Sequence, residues 1–252
     1  PAIDRPMAVA VAEEEAAEAW TAVFDCLTSP GLPCLACFRF MQRPAASLTR
    51  QLLPQEAEKR GLVYQESVHE VCPIIPLNTT FAGYLDSIDS KQRREIQRKL
   101  RRADGAGATM HLIGSEDDVR QAVDDFLELL QKSTFEKRDW LTDGRRALFH
   151  DVARTAHEDG SLQLIFMEVD GRQAATLFNF DYQNRIWVYN SGLDPALASS
   201  LSLGVVITAK AIELAAENGR TEFDFLRGNE TYKYRFGAQD SLIYRQQLTI
   251  DN

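Results

Sequence analysis

Apolar residues fall at helical spacing over Val9–Leu27, where Ala16, Ala19, Trp20, Val23, Phe24 and Leu27 share one face, and Ser29-Pro30-Gly31 ends the run. A strand over Leu35–Met41, a helix over Ser47–Arg60 interrupted near Pro54, and a strand over Leu62–Val68 follow, after which Pro73 and Pro76 punctuate a crossing segment. From Thr80 the pattern becomes regular. A short helix (Thr80–Ser87) precedes a strongly basic one (Ser90–Asp104) and a strand (Ala108–Ile113). Ser115 is the expected N-cap of the next helix, with Glu116, Asp117 and Asp118 in its first turn and Val119, Val123, Phe126, Leu127 and Leu130 on one face. A second helix covers Asp143–Glu158. Three strands come next, Leu162–Val169, Gln173–Phe180 and Arg185–Tyr189, joined by the hairpin dipeptides Asp170-Gly171 and Gln183-Asn184. The chain closes with a helix (Ser202–Glu217), a strand (Glu222–Leu226), a short helix (Glu230–Phe236) and a strand (Leu242–Ile250).

From Ala108 the order is thus β-α-α-β-β-β-α-β-α-β. An antiparallel meander followed by crossover helices excludes an all-parallel doubly wound sheet and predicts an α/β fold with a mixed central sheet flanked by helices. Residues 1–77 hold too few strands to close a sheet alone and read as the tail of a preceding half, with 78–252 as a complete domain. Pro1 in place of an initiator Met fits a piece of a longer protein.

Composition narrows the function classes. With 252 residues, 44% hydrophobic and 26% charged, the chain is globular, and its apolar stretches fall far short of the roughly 20 residues a bilayer span needs. A formal charge of −9 argues against a broad nucleic-acid surface. Yet Lys91–Arg102 carries seven basic residues and one acid, which fits either steering of an anionic ligand or a solvated helix face. Cys34 and Cys37 form a lone C-x-x-C with no second pair, so buried free thiols in a reducing cytoplasm are expected rather than a metal site. The opening residues show no basic-then-apolar leader, in keeping with a cytoplasmic location. No G-x-S-x-G, H-E-x-x-H, Walker loop or G-x-G-x-x-G occurs, which leaves hydrolase, zinc-protease and nucleotide-binding readings unsupported.

Two segments carry candidate chemistry. Tyr189, Asn190, Ser191 and Gly192 end a strand, and Ser202, Leu203 and Gly204 open a helix. A strand end splayed from its neighbour offers unpaired backbone groups to an extended amide-bearing arm, and helix N–H groups suit a pyrophosphate; an ordinary capped helix is the simpler alternative. The second segment runs from Phe223 to Gly237. Asp224 inside a central strand needs a partner, with Arg227, Lys233 and Arg235 nearby in sequence, or else forms a polar cleft floor. Tyr232 and Tyr234 stand close to that strand end.

The element order together with Asp224-Phe225-Leu226-x-Gly228-x-x-x-Tyr232-Lys233 and the basic Ser90–Arg102 helix resembles the GNAT acyltransferase superfamily, in the branch of CelD-like and Fem-type proteins with tandem GNAT-like halves. That resemblance implies a GNAT-like fold over 78–252 preceded by a partial GNAT-like half, and transfer of an acyl group, first of all acetyl, from acyl-CoA to a small amine or saccharide. By the same resemblance Tyr189, Asn190, Ser191, Ser202, Leu203, Gly204 and Lys233 would hold the acyl-CoA. Tyr232 would protonate the leaving thiolate and Asp224 would orient or deprotonate the acceptor. The spaced-glycine pyrophosphate signature common in GNAT proteins is absent, with Ser202-Leu203-Gly204 in its place. A Fem-type peptidyl transferase fed by aminoacyl-tRNA and a non-catalytic scaffold of exopolysaccharide assembly are the alternatives, and a homodimer stays open.

Overall fold

The computed structural model describes residues 15–27, 29 and 37–250. In chain order the elements are α1 (Ala16–Leu27), β1 (Cys37–Pro44), α2 (Leu48–Lys59), β2 (Leu62–Pro76), α3 (Phe81–Ser87), α4 (Ser90–Gly105) and β3 (Thr109–Leu112). Then come α5 (Val119–Ser133), α6 (Phe135–Trp140), α7 (Asp143–Glu158), β4 (Leu162–Val169), β5 (Arg172–Tyr182) and β6 (Arg185–Leu193). The last are α8 (Pro195–Ala198), α9 (Leu203–Glu217), β7 (Glu222–Asp224), α10 (Thr231–Arg235) and β8 (Gln239–Ile250).

The chain forms two compact units. The larger comprises 73–226 and 230–239; the smaller comprises the described residues up to 72, 227–229 and those from 240 onward. In the larger unit the end of β2 pairs antiparallel with β7, β7 runs parallel to β6, and β6, β5, β4 and β3 form an antiparallel meander. The sheet is therefore mixed, as the element order predicts. Alternation along β4 sorts the two faces: Ile165 and Met167 join the core under α4 and α9, while Leu164 and Phe166 join the core under α5 and α7. Both hairpin turns place their two central residues at positive φ (Asp170 52°, Gly171 69°; Gln183 53°, Asn184 60°), the mirror-image turns whose twist suits flanking strands. In the smaller unit β1 pairs antiparallel with β8, and Trp20, Phe24, Phe38, Leu53, Ala57 and Leu248 form its core.

Several local expectations need correction. β2 does not stop at Val68: it continues to Pro76, because Ile74, Ile75 and Pro76 find partners in Asp224, Phe223 and Glu222. Pro54 lies inside α2 without breaking it. Asp118, not Ser115, caps α5, its carboxylate accepting from the Arg120 and Gln121 amides, while Asp117 accepts from Gly114. A carboxylate outcompetes a hydroxyl for these donors. Of the cysteines, Cys72 is buried, Cys37 half-buried and Cys26 exposed; Cys34 and the expected start of the first helix at Val9 lie outside the described residues.

Candidate active site

β6 and β7 pair only at Arg185–Glu222, Ile186–Phe223 and Trp187–Asp224. β7 then ends, while β6 runs on to Leu193 along β5. A bulge sits at the parting: Asn190 faces Phe178 and Val188 faces Asn179, so Tyr189 is the extra residue. Its ring packs among Phe149, Phe178 and Phe180, with centroids 5.7–5.9 Å away. Sequence placed the parting near Asn190, and the structure puts its start at Trp187. Beyond the bulge, alternate backbone groups turn away from β5. The Ser191 N–H donates to the Asn190 Oδ1 at 2.9 Å, and the Ser191 carbonyl accepts from the Lys137 Nζ at 2.5 Å. Two residues on, the Leu193 N–H donates to the Ser133 Oγ at 2.7 Å. α5 reaches this close because Gly192 has no side chain: a Cβ there would lie 2.6 Å from the Leu130 nitrogen.

Lys137 belongs to α6, a short helix that the sequence pattern does not reveal. It enters on the Thr134 N-cap, whose hydroxyl accepts from the Lys137 N–H. Burial pushes the Lys137 ammonium down to about 8, although the Glu230 carboxylate acts in the opposite direction. Around β6, this is the ionisable group that sequence reasoning missed.

After β7 the chain turns sharply. Leu226 is left-handed (φ 55°), held by its N–H on the Asp224 Oδ1 at 2.7 Å and its carbonyl under the Lys233 Nζ at 3.4 Å. Asp224 is only 7% exposed. Burial raises its pKa from 3.8 to about 6, against the Leu226 amide and the charges of Arg185 and Lys233, with Glu222 adding to the rise. None of the basic residues suggested by sequence forms an ion pair with it among the described residues: Arg227 pairs with Glu70, and Lys233 donates to Glu230 at 2.8 Å. Burial draws the Glu230 carboxyl upward, but Lys233 and its own amide outweigh this and leave its pKa below the ordinary value.

Tyr232 packs edge-on against Phe225 (5.9 Å) and lines a cleft of about 350 Å³. The other walls are Lys91, Gln92, Glu95, Ile96 and Lys99 of α4, Val205 of α9, and Arg235 and Phe236. The basic helix thus faces the same space as the tyrosine. Burial and then the Glu230 charge push the Tyr232 hydroxyl up to about 12, so it is protonated at neutral pH, although the residue as a whole keeps 44% of its surface open. Above the cleft α9 begins at a left-handed Ser202 (φ 56°) whose side chain makes no cap bond. The Ser202 carbonyl accepts from Val205 and Val206; the amides of Leu203 and Gly204 have no acceptor among the described residues. The first turn of α9 therefore starts without a side-chain cap, and free amides at such an end carry the positive pole of the helix.

Against known families, the acetyltransferase (GNAT) domain matches residues 90–234, more than half of the chain. The chain belongs to the GNAT family. Among solved structures, that of FemX superposes with a TM-score of 0.69 at 13% identity, over 94% of this chain and 78% of that one. The structure titled L-PGS from Bacillus licheniformis gives 0.64 at 9% identity, over 95% and 75%. The C-terminal domain of a putative lysylphosphatidylglycerol synthetase from Agrobacterium fabrum gives 0.62 at 11%, over 96% and 75%. At these identities the likeness is one of fold. No curated protein sequence matches the chain.

Within this GNAT domain the anticipated residues fall into three neighbourhoods. Tyr189, Asn190 and Ser191 lie along the open edge of β6; Ser202, Leu203 and Gly204 start α9; Asp224 and Lys233 grip the turn after β7, with Tyr232 on the cleft wall.

Proposed function

We propose that this GNAT domain transfers an acyl group, first of all acetyl, from acyl-CoA to a small amine or saccharide. The observation that carries the reading is the parting of β6 from β7 after Trp187, next to a long helix whose first amides have no acceptor among the described residues. In this reading the pyrophosphate of the donor sits on the Leu203 and Gly204 amides, and its arm runs along β6 toward Tyr189. The acceptor nitrogen or oxygen attacks the thioester carbon, a backbone amide at the Tyr189 bulge holds the oxyanion, and the C–S bond breaks. Asp224, near 6, takes the proton that the acceptor loses. A Tyr232 phenol near 12 is a weaker acid than a thiol of about 8.5, so it steadies the departing sulfur by a hydrogen bond rather than by complete proton transfer.

Calorimetry with CoA and acetyl-CoA tests the donor, and thiol release over a panel of amines and amino sugars tests the acceptor. No heat with either thioester carrier overturns the reading. A second reading, an aminoacyl-tRNA donor of the Fem type, is favoured by one observation: Lys91, Lys99 and Arg235 share a cleft with Tyr232. Binding of tRNA that weakens steeply with salt, with no CoA binding, would select it.

A further inference from the structure

The open edge of β6 is not bare. If groups at 189, 191 and 193 are those that turn away from β5, two of the three positions are already taken: Leu193 by Ser133, and Ser191 by Asn190 on its amide and Lys137 on its carbonyl. Lys137 also lies 3.4 Å from the Ser191 Oγ, so its ammonium spans the place where an added strand would donate an N–H. We propose that Lys137 is the residue that sets donor specificity, a plug on the Ser191 carbonyl that an amide-bearing carrier arm must displace before it can extend the β6 ladder. The inference rests on the acyl-CoA reading above.

Three features make the plug displaceable rather than a fixed strut. No residue of α6 is fully buried, so the lysine can swing without opening a core, although Trp140 of the same helix packs edge-on against Phe149. The charge of Glu230, whose carboxylate is paired with Lys233 at 2.8 Å, acts favourably on Lys137 and draws the ammonium to the α10 side once it leaves Ser191. Burial strips the ammonium of hydration, so moving it off a neutral carbonyl toward water recovers part of that cost. When the arm arrives, its amide N–H replaces the ammonium on the Ser191 carbonyl and the lysine moves toward Glu230; no covalent bond changes.

The experiment compares two ligands on the full chain by calorimetry: CoA, and adenosine 3′,5′-bisphosphate, which lacks the pantetheine arm and the phosphate that joins it. In wild type, displacement of Lys137 offsets the arm's gain, so CoA binds only a few-fold tighter than the bisphosphate. Lys137→Met removes the plug and tightens CoA about tenfold, the worth of one charge-assisted hydrogen bond, while the bisphosphate is unchanged. Lys137→Arg keeps a cationic donor and leaves CoA near its wild-type affinity, and the unchanged bisphosphate affinity of the Met variant shows that it is folded. The proposal is overturned if Lys137→Met leaves CoA unchanged or weaker, or moves both ligands equally. If CoA and the bisphosphate bind none of the three proteins, the donor reading itself fails, and the plug with it.

Discussion

Asp224 offers a test in which stability and chemistry pull in opposite directions. Its carboxyl goes from 3.8 to about 6 on folding because β7 buries it with one backbone donor and no ion pair. Between those values the folded chain binds more protons than the unfolded one, so stability falls as pH rises through the window and stays low above it. At 1.36 kcal/mol for each tenfold change in proton affinity, the ionised group costs about 3 kcal/mol at pH 8. Asp224→Asn keeps an oxygen for the Leu226 N–H, and so keeps the left-handed turn. It also buries an amide nitrogen at a cost of about 1 kcal/mol, for a net gain of about 2 kcal/mol at pH 8. Urea unfolding followed by circular dichroism at pH 8, 6 and 4 measures this. The gain should shrink through pH 6 and vanish or reverse at pH 4, while turnover at pH 8 drops. A variant that is destabilised at pH 8, or a difference that does not change with pH, would refute the account of a costly buried carboxylate.

Other substitutions probe the surrounding frame. Gly192→Ala drives a Cβ to 2.6 Å from the Leu130 backbone, where neither α5 nor β6 yields cheaply, and should cost about 2 kcal/mol; a melting temperature unchanged against wild type would contradict it. Ser202→Gly relieves a left-handed residue that makes no cap bond, and should raise stability by about 0.5–1 kcal/mol in the same melts. Tyr232→Phe should lower kcat with the melting temperature within about 1 °C of wild type, since the residue lines a cleft and keeps 44% of its surface open; a large loss of stability would make it structural.

Short-range chemistry made much of the domain readable. Two mirror-image turns announced themselves by Asp-Gly and Gln-Asn, helical spacing exposed α5 and α7, and Asp224 stood out as an acid between phenylalanines in a strand. All of these depend on residues within about one turn or one hairpin of each other, which is where periodicity and turn propensity act. The helix start at Leu203 was legible for the same reason. The cap of α5 was misplaced by three residues because Ser115 and Asp118 both suit the role, and only geometry chooses between them.

What joins distant segments had no such signature. Lys137 sits among four charged residues between Phe135 and Trp140 in a helix of six, and nothing local says that its amine comes to rest on Ser191, 54 residues away. The same holds for the pairing of Ile74 with Asp224 between two prolines, and for the cleft that sets Tyr232 against the basic α4. The pattern of the chain alone therefore decided which elements form and which strand carries the acid. Which backbone groups of β6 stay open, and which are capped, was decided by the packing of α5 over Gly192 and the reach of Lys137 to Ser191, because a missing side chain permits close approach but does not say what will approach.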